Sequence, residues 1–178
     1  MEIPSDFNLP WCKAILSSNI SNLENSAAVV HRPDNPVSNS MFGQTLYTPT
    51  AIRAQLSFRR PTSEPDSIKP WENCFLLSIG SGIDGKTGRA HGGFNSLILD
   101  QMTGMTASLV SASEAPATAT MTVDYKAPID TPGVILVRGW PVERQGRKTW
   151  VRARIEDGEG KLLAGGKALF IDARPVKL

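Results

Sequence analysis

A chain of 178 residues with 40% apolar and 20% charged residues has the composition of a globular protein, and its length fits one domain. Its 19 Lys and Arg residues nearly balance 17 Asp and Glu residues and form no basic block, which argues against a nucleic-acid-binding protein. No apolar run approaches the roughly 18–20 residues that a membrane-spanning helix needs.

Compartment and metal content are predicted from the N-terminus, the cysteines and the histidines. Residues 1–6 are acidic and lack the apolar core of a secretory signal, so we expect a cytoplasmic protein. Cys12 and Cys74 are too few for a disulfide framework, and neither has a neighbouring Cys or His at metal-ligand spacing. His31 and His91 alone cannot build a histidine zinc site, so we expect neither a metal nor another cofactor.

The first half of the chain is predicted to contain one short helix and two strands. Residues 10–16 begin with a proline, which is favoured in the first turn of a helix. Residues 26–43 contain two prolines within four positions and are expected to be irregular. Alternation of apolar and polar residues predicts a strand within 44–58, and a short apolar run predicts another at 74–79. A glycine-rich loop follows over 80–88.

The second half is predicted to hold one long helix and up to four strands. Apolar residues recur around nearly the whole circumference of a helix from residue 94 to about 113, which is typical of a buried helix. The predicted strands lie at 117–125, 133–142, 148–155 and 162–171. This order of elements predicts an α+β fold, in which an antiparallel sheet wraps around one long central helix.

A glycine turn and an isolated carboxylate mark the predicted helix as a site. His91-Gly92-Gly93 lies directly before it, where free backbone N–H groups and the positive end of the helix dipole favour an anion. Asp100 lies among apolar residues, where burying a carboxylate costs free energy unless the group is paired or takes part in the function. Together they predict backbone donors for a carbonyl oxygen and a carboxylate that works on the same group or on water.

These residues resemble a known family. His91-Gly92-Gly93, Asp100 in the following helix and the segment 118–128, which ends in Tyr-Lys-Ala-Pro, resemble the hotdog-fold acyl-CoA thioesterases of the HGG type, the phenylacetyl-CoA thioesterase-like group. The resemblance covers residues 72–172, and residues 1–70 are similar to the extension of fungal members. It implies an N-terminal extension at 1–43 and a hotdog thioesterase domain at 44–178.

The resemblance also implies catalytic roles. Asp100 would act as base or nucleophile, a backbone N–H at Gly92 or Gly93 would bind the thioester oxygen, and Thr118 would assist the water or the carboxylate. The substrate would be an acyl or polyketide thioester on CoA or on a carrier protein.

Several other side chains keep two interpretations each. His91 either takes part in acid–base chemistry or hydrogen-bonds to the turn and holds its shape. Asn95 and Ser96 either orient the substrate or cap the helix. A group of cations either meets the phosphates of CoA or of a carrier-protein arm, or forms a solvated face. These cations are Arg138, Arg144, Arg147, Lys148, Arg152 and Arg154.

Spacing predicts that the site needs two subunits. Gly93 and Asp100 are seven residues apart, which is roughly 10 Å along a helix at about 1.5 Å per residue. One carbonyl carbon cannot be within reach of both. The resemblance implies the solution, a homodimer or a dimer of dimers in which the glycine turn of one subunit faces the carboxylate of the other.

Two other functions fit the same fold. One is dehydration, isomerisation or cyclisation of a carrier-bound intermediate. The other is a non-catalytic acyl-binding dimer, against which Asp100 argues because a binding pocket gains little from a buried charge.

Overall fold

The structure is a computed structural model that describes residues 2–25 and 38–173. It contains the helices α1 (Pro10–Leu16) and α2 (Gly92–Ser108), 3₁₀ turns at Ser5–Phe7 and Ser81–Ile83, and a π-helical turn at Met41–Thr45. The strands are β1 (Ser21–Glu24), β2 (Ile52–Pro61), β3 (Trp71–Ile79), β4 (Asp84–Lys86), β5 (Arg89–Ala90), β6 (Ala117–Tyr125), β7 (Gly133–Gln145), β8 (Lys148–Glu156) and β9 (Leu162–Ile171). No helix among the described residues is long and apolar enough to cross a membrane.

Seven strands form one sheet in the order β1-β2-β3-β7-β8-β9-β6, and every neighbouring pair is antiparallel. Tight turns join β7 to β8 and β8 to β9, and each contains a glycine with positive φ, Gly146 at 57° and Gly160 at 80°. β6 therefore lies at one edge of the sheet, although it follows α2 directly in the chain. The predicted α+β fold, an antiparallel sheet with one long helix packed on it, is confirmed.

The long helix packs against the inner face of the sheet. Ile98, Leu99 and Met102 are fully buried there and share one core cluster with inward-facing strand residues such as Val137 and Ile155. The helix lies very close to β7 at Gly139, where a Cβ atom would be 2.7 Å from Met102 Cγ. This packing fixes the position of every group that α2 carries.

The sequence prediction for this helix was wrong in two respects. The helix ends at Ser108 rather than near residue 113, and it is not buried on all sides. Leu97, Asp100 and Gly104 are only half-buried, because the sheet of one chain covers one side of the helix and leaves this face open. The predicted loop at 80–88 contains a 3₁₀ turn and the first strand and turn of the β4–β5 hairpin.

The N-terminal segment covers the outer face of the sheet. Phe7 and Cys12 are buried against outward-facing residues of β2 and β3, including Leu56 and Cys74. Burial raises the pKa of the Cys12 thiol to about 11, and it also raises that of Cys74, so both cysteines act as small apolar groups. β1 was not predicted, because its polar sequence shows no alternation. The division into segments 1–43 and 44–178 stays a prediction.

We expect the α2 core to supply much of the stability. Replacing Ile98, which is 0% exposed, with Ala should lower the free energy of unfolding by about 2–5 kcal/mol. The same change at Ile68, which is 48% exposed, should cost less than about 0.5 kcal/mol. Urea unfolding at one fixed protein concentration measures both, and equal losses would contradict this account of the core.

Candidate active site

His91 builds the start of α2. It is the N-cap residue, with φ −65° and ψ 138°, and its Nδ1 accepts a hydrogen bond of 2.8 Å from the Gly93 N–H. Nδ1 is therefore unprotonated, and a neutral ring carries its proton on Nε2. A Cβ atom on Gly85 would lie 2.9 Å from His91 Cδ2, so the β4–β5 hairpin also packs directly on this ring.

The Gly92 N–H is the open donor of the turn. Gly93 is already bonded to His91, whereas the Gly92 N–H has no acceptor within the described part of the chain. The N-terminus of a helix carries a partial positive charge. Gly92 therefore presents the N–H group of this turn that is suited to a developing negative charge.

Tyr125, at the end of β6, holds the turn from the other side. Its hydroxyl lies 2.6 Å from the Ser96 hydroxyl and donates to the Gly92 carbonyl over 3.2 Å. A Cβ atom on Gly92 would lie 3.3 Å from Tyr125 Cε1, so the ring packs directly on this residue. Sequence reasoning named Tyr125 only as part of a motif and missed this role, because the Ser96–Tyr125 contact joins residues 29 positions apart.

Asp100 is held by the edge strand. Thr118 Oγ1 donates a hydrogen bond of 2.9 Å to Asp100 Oδ1. The pairing of β6 with β9 brings Thr118 to this position beside α2. Among the described residues Asp100 Oδ2 has no hydrogen-bond partner, so the carboxylate is oriented by one oxygen and open at the other.

These groups open into two different clefts. The Asp100 cleft has a volume of about 660 Å³ and the glycine-turn cleft one of about 510 Å³. The Asp100 cleft is lined by Ser38, Asn39, Ser40, Met41, Phe42, Leu97, Asp100, Gln101, Gly104, Met105, Ser108, Glu114, Ala115, Pro116, Thr118 and Phe170. The glycine-turn cleft is lined by Gly85, Lys86, Arg89, Ala90, His91, Gly92, Asn95, Tyr125, Lys126, Ala127, Pro128 and Ile129. The donor and the carboxylate therefore do not face one cavity within a single chain.

The remaining predicted site residues differ in whether they line one of these clefts. Asn95 is 5% exposed and lines the glycine-turn cleft, and its buried Oδ1 has no hydrogen-bond partner in the part of the chain that the structure describes. Ser96 bonds to Tyr125 outside the cleft lining. Gly93 is bonded to His91 and lines neither cleft. Thr118 lines the Asp100 cleft.

The arginines of β7 and β8 line neither cleft. Arg138 is largely buried on the outer face, where it pairs with Glu64 at 2.9 Å and with Glu72 and Glu156 at 2.7 Å. Burial alone would raise the pKa of Glu72, but Arg138 and Arg60 lower it below its ordinary value of 4.5. Arg138 is therefore neither a phosphate contact nor part of a solvated face.

No metal centre is found in residues 2–25 and 38–173, where no group of three or more His, Cys, Asp and Glu side chains is arranged to hold an ion. His31 lies outside the described residues.

Comparison with known proteins agrees with this fold. Residues 87–164 match the family model of the Thioesterase superfamily. The acyl-coenzyme A thioesterase THEM4 of Rattus norvegicus is 34% identical over 104 residues, which cover 57% of this chain and 44% of the rat protein. THEM4 of Xenopus laevis is 32% identical over 101 residues, which cover 56% of this chain and 45% of that protein. The chain thus spans less than half the length of these two relatives.

A solved structure shows the same architecture. A mutant of the phenylacetic acid degradation protein PaaI from Thermus thermophilus superposes with a TM-score of 0.52 and 20% sequence identity. The superposition covers 57% of this chain and 85% of that one. The chain has the hotdog fold, and its segment 87–164, which carries the glycine turn, Asp100 and Thr118, matches the Thioesterase superfamily.

Proposed function

We propose that this chain hydrolyses acyl thioesters as a homodimer, or as a dimer of such dimers, in which Asp100 of one subunit works with Gly92 of the partner subunit. The proposal depends mainly on one observation. A carboxylate oriented by Thr118 and an unpaired N–H of a helix N-terminus lie on the same helix but open into two separate clefts.

The edge strand β6 supports the dimer. Seven of its nine residues are exposed, and Met121 and Val123 are only half-buried. An exposed edge strand of this length is a template for pairing with another chain. Pairing of β6 with its own copy around a two-fold axis would cover this edge and set the open faces of the two α2 helices side by side in opposite directions. Each glycine turn would then lie beside the Asp100 of the other subunit.

Asp100 can act as a general base in this arrangement. Thr118 occupies Oδ1, so Oδ2 removes a proton from water while the water oxygen attacks the carbonyl carbon. The carbonyl oxygen becomes an oxyanion, which the Gly92 N–H of the partner subunit and its helix dipole stabilise. When the C–S bond breaks, the thiolate takes the proton from the Asp100 carboxyl, and the products are a carboxylic acid and a thiol.

Asp100 can also act as a nucleophile with the same partners. Its Oδ2 then attacks the carbonyl carbon and expels the thiolate, which leaves a mixed anhydride between the acyl group and Asp100. Water hydrolyses this anhydride, restores the carboxylate and releases the acid. In both routes His91 is a positioning residue, because its Nδ1 engages the Gly93 N–H and leaves that of Gly92 free.

The names of the relatives and the residues of the site support a substrate class. Two relatives are named acyl-coenzyme A thioesterases, which favours an acyl thioester of CoA. The glycine turn and Asp100 resemble the HGG type described above, and residues 1–70 resemble the extension of its fungal members. A carrier-protein thioester and a polyketide acyl group belong to the same proposal, because both present the same thioester to Asp100.

Replacing Asp100 with Asn tests the function directly. The amide keeps the size of the side chain and an oxygen for Thr118 but removes the basic oxygen. Thiol release from hexanoyl-CoA, followed with a thiol reagent, should fall by about 100- to 10,000-fold while the melting temperature stays unchanged. The matched control is Glu159→Gln, which removes an exposed carboxylate from the turn between β8 and β9. This residue lines neither cleft, so the variant should keep full activity.

The same assay distinguishes the alternatives. Full activity of Asp100→Asn would refute the proposal. A dehydrated, isomerised or cyclised product without thiol release would instead identify an enzyme of carrier-bound intermediates. Tight binding of acyl-CoA without turnover by the wild-type chain would identify an acyl-binding dimer.

Thr118 should matter through its hydroxyl group. Hydrogen bonds to charged groups contribute about 1.5–3 kcal/mol, so Thr118→Val should lower kcat by about 10- to 100-fold. Thr118→Ser keeps the hydroxyl and should retain most of the activity. Equal activity of the two variants would show that the bond to Asp100 is not used in catalysis.

A proline substitution at Gly92 would remove the N–H group of this residue with little change in the backbone. Proline is favoured at the first position of a helix, and the conformation of His91 suits a residue that precedes proline. Gly92→Pro should therefore lower kcat by about 100- to 1,000-fold through loss of one oxyanion donor. Gly92→Ala is the control, because it adds the same contact with Tyr125 but keeps the N–H. If both variants lose activity equally, the donor role is wrong.

A further inference from the structure

The glycine-turn cleft is strongly cationic. Three of its lining residues are Lys86, Arg89 and Lys126, and none of the described residues that line it is Asp or Glu. Lys126 lies 3.9 Å from Asp124, but both side chains are more than half exposed, and such pairs contribute little. The cleft therefore attracts anions.

The Asp100 cleft has the opposite charge. Asp100 and Glu114 line it, and the described lining includes no Lys, Arg or His. Much of the rest of its lining is apolar, including Leu97, Met105 and Phe170. A phosphate-bearing group is repelled from this cleft, whereas an acyl chain finds apolar surface there.

The cations of the glycine-turn cleft are carried on an anchored hairpin. Asp84 accepts a hydrogen bond of 2.9 Å from the Gly88 N–H and a second bond from the Thr131 hydroxyl. The Ala90 N–H donates to the Ile129 carbonyl over 2.9 Å. These bonds fasten β4 and β5, the strands that carry Lys86 and Arg89, to the cleft wall. The bonds from Gly88 and Thr131 also engage the Asp84 carboxylate, which is the acidic group of this hairpin.

Asn95 provides a second, independent indication of a ligand. This residue lines the glycine-turn cleft and is only 5% exposed. Its Oδ1 has no hydrogen-bond partner in the described structure. A buried polar atom without a partner costs free energy, so such atoms are normally satisfied. An amide N–H of a ligand that fills the cleft would satisfy it.

We propose that the glycine-turn cleft binds the thiol half of the substrate as a phosphorylated, amide-containing arm, with Lys86, Arg89 and Lys126 at its phosphate groups and Asn95 at an amide. The acyl half then enters the Asp100 cleft of the other subunit. This assignment depends on the proposed thioesterase function. The phosphates belong either to CoA or to the phosphopantetheine arm of a carrier protein, which share the same chemistry.

Three thioesters with one acyl group test the assignment. Hexanoyl-CoA carries three phosphate groups, hexanoyl-phosphopantetheine carries one, and hexanoyl-N-acetylcysteamine carries none. They are compared on the wild-type chain and on the triple variant Lys86→Gln, Arg89→Gln, Lys126→Gln. The matched control is Lys13→Gln, Lys69→Gln, Lys161→Gln, which removes the same charge from exposed positions outside both clefts.

In the cleft variant we expect kcat/KM for the CoA ester, relative to that for the N-acetylcysteamine ester, to fall at least tenfold through KM. In the control triple variant this ratio should stay within twofold of wild type. A loss for the phosphopantetheine ester as large as for the CoA ester assigns the cations to the phosphate common to both. A loss confined to the CoA ester assigns them to the nucleotide phosphates. An unchanged ratio, or an equal loss with all three esters, would overturn the assignment.

Direct binding separates this inference from the proposed function. If the wild-type chain hydrolyses none of the esters, the proposed function fails, but calorimetric titration with CoA still tests the cleft. CoA should bind the wild-type chain at least tenfold more tightly than the cleft variant. Equal binding, or no binding by the wild type, would overturn the inference.

Discussion

The fixed rise of an α-helix is the constraint on which the proposed site depends. Gly92 and Asp100 are eight residues apart on α2, so about 12 Å separates them along the axis. The helix cannot bend to bring them together, because Ile98, Leu99 and Met102 hold its middle against the sheet. A catalytic unit that needs both an oxyanion donor and a carboxylate must therefore take them from two copies of α2.

Each subunit nevertheless orients both its own Gly92 N–H and its own Asp100 carboxylate. At the N-terminus, His91 engages the Gly93 N–H and Tyr125 packs on Gly92, which leaves one N–H open. Two turns later, Thr118 binds one oxygen of Asp100 and leaves the other open. Strand β6 supplies both Thr118 and Tyr125 from its two ends. The same exposed strand that is proposed to form the dimer thus also orients both parts of the site.

Hydrophobic pattern predicted the long helix and the six strands of nine or more residues, because alternation or an apolar run marks each of them in the sequence, whereas the short strands β1, β4 and β5 carry no such pattern. It overestimated the burial of α2, since periodicity counts Leu97 and Met105 as apolar without saying whether anything covers them. The sequence singled out Asp100 and the glycine turn, and the resemblance added Thr118, but their division between two clefts required coordinates. Sequence alone also gave no reason to separate Arg138, which carboxylates neutralise, from Lys86 and Arg89, which line a cleft.

The central claim is that one site needs two subunits, and mixing two inactive variants tests it most directly. Asp100→Asn and Gly92→Pro chains are combined in equal amounts, unfolded together and refolded, and hexanoyl-CoA hydrolysis is measured. Half of randomly formed dimers are then mixed, and each mixed dimer has one complete site, so activity should recover to about one quarter of the wild-type level. Activity that stays at the level of the separate variants would show that the Gly92 N–H and Asp100 serve the same subunit, and would contradict the account.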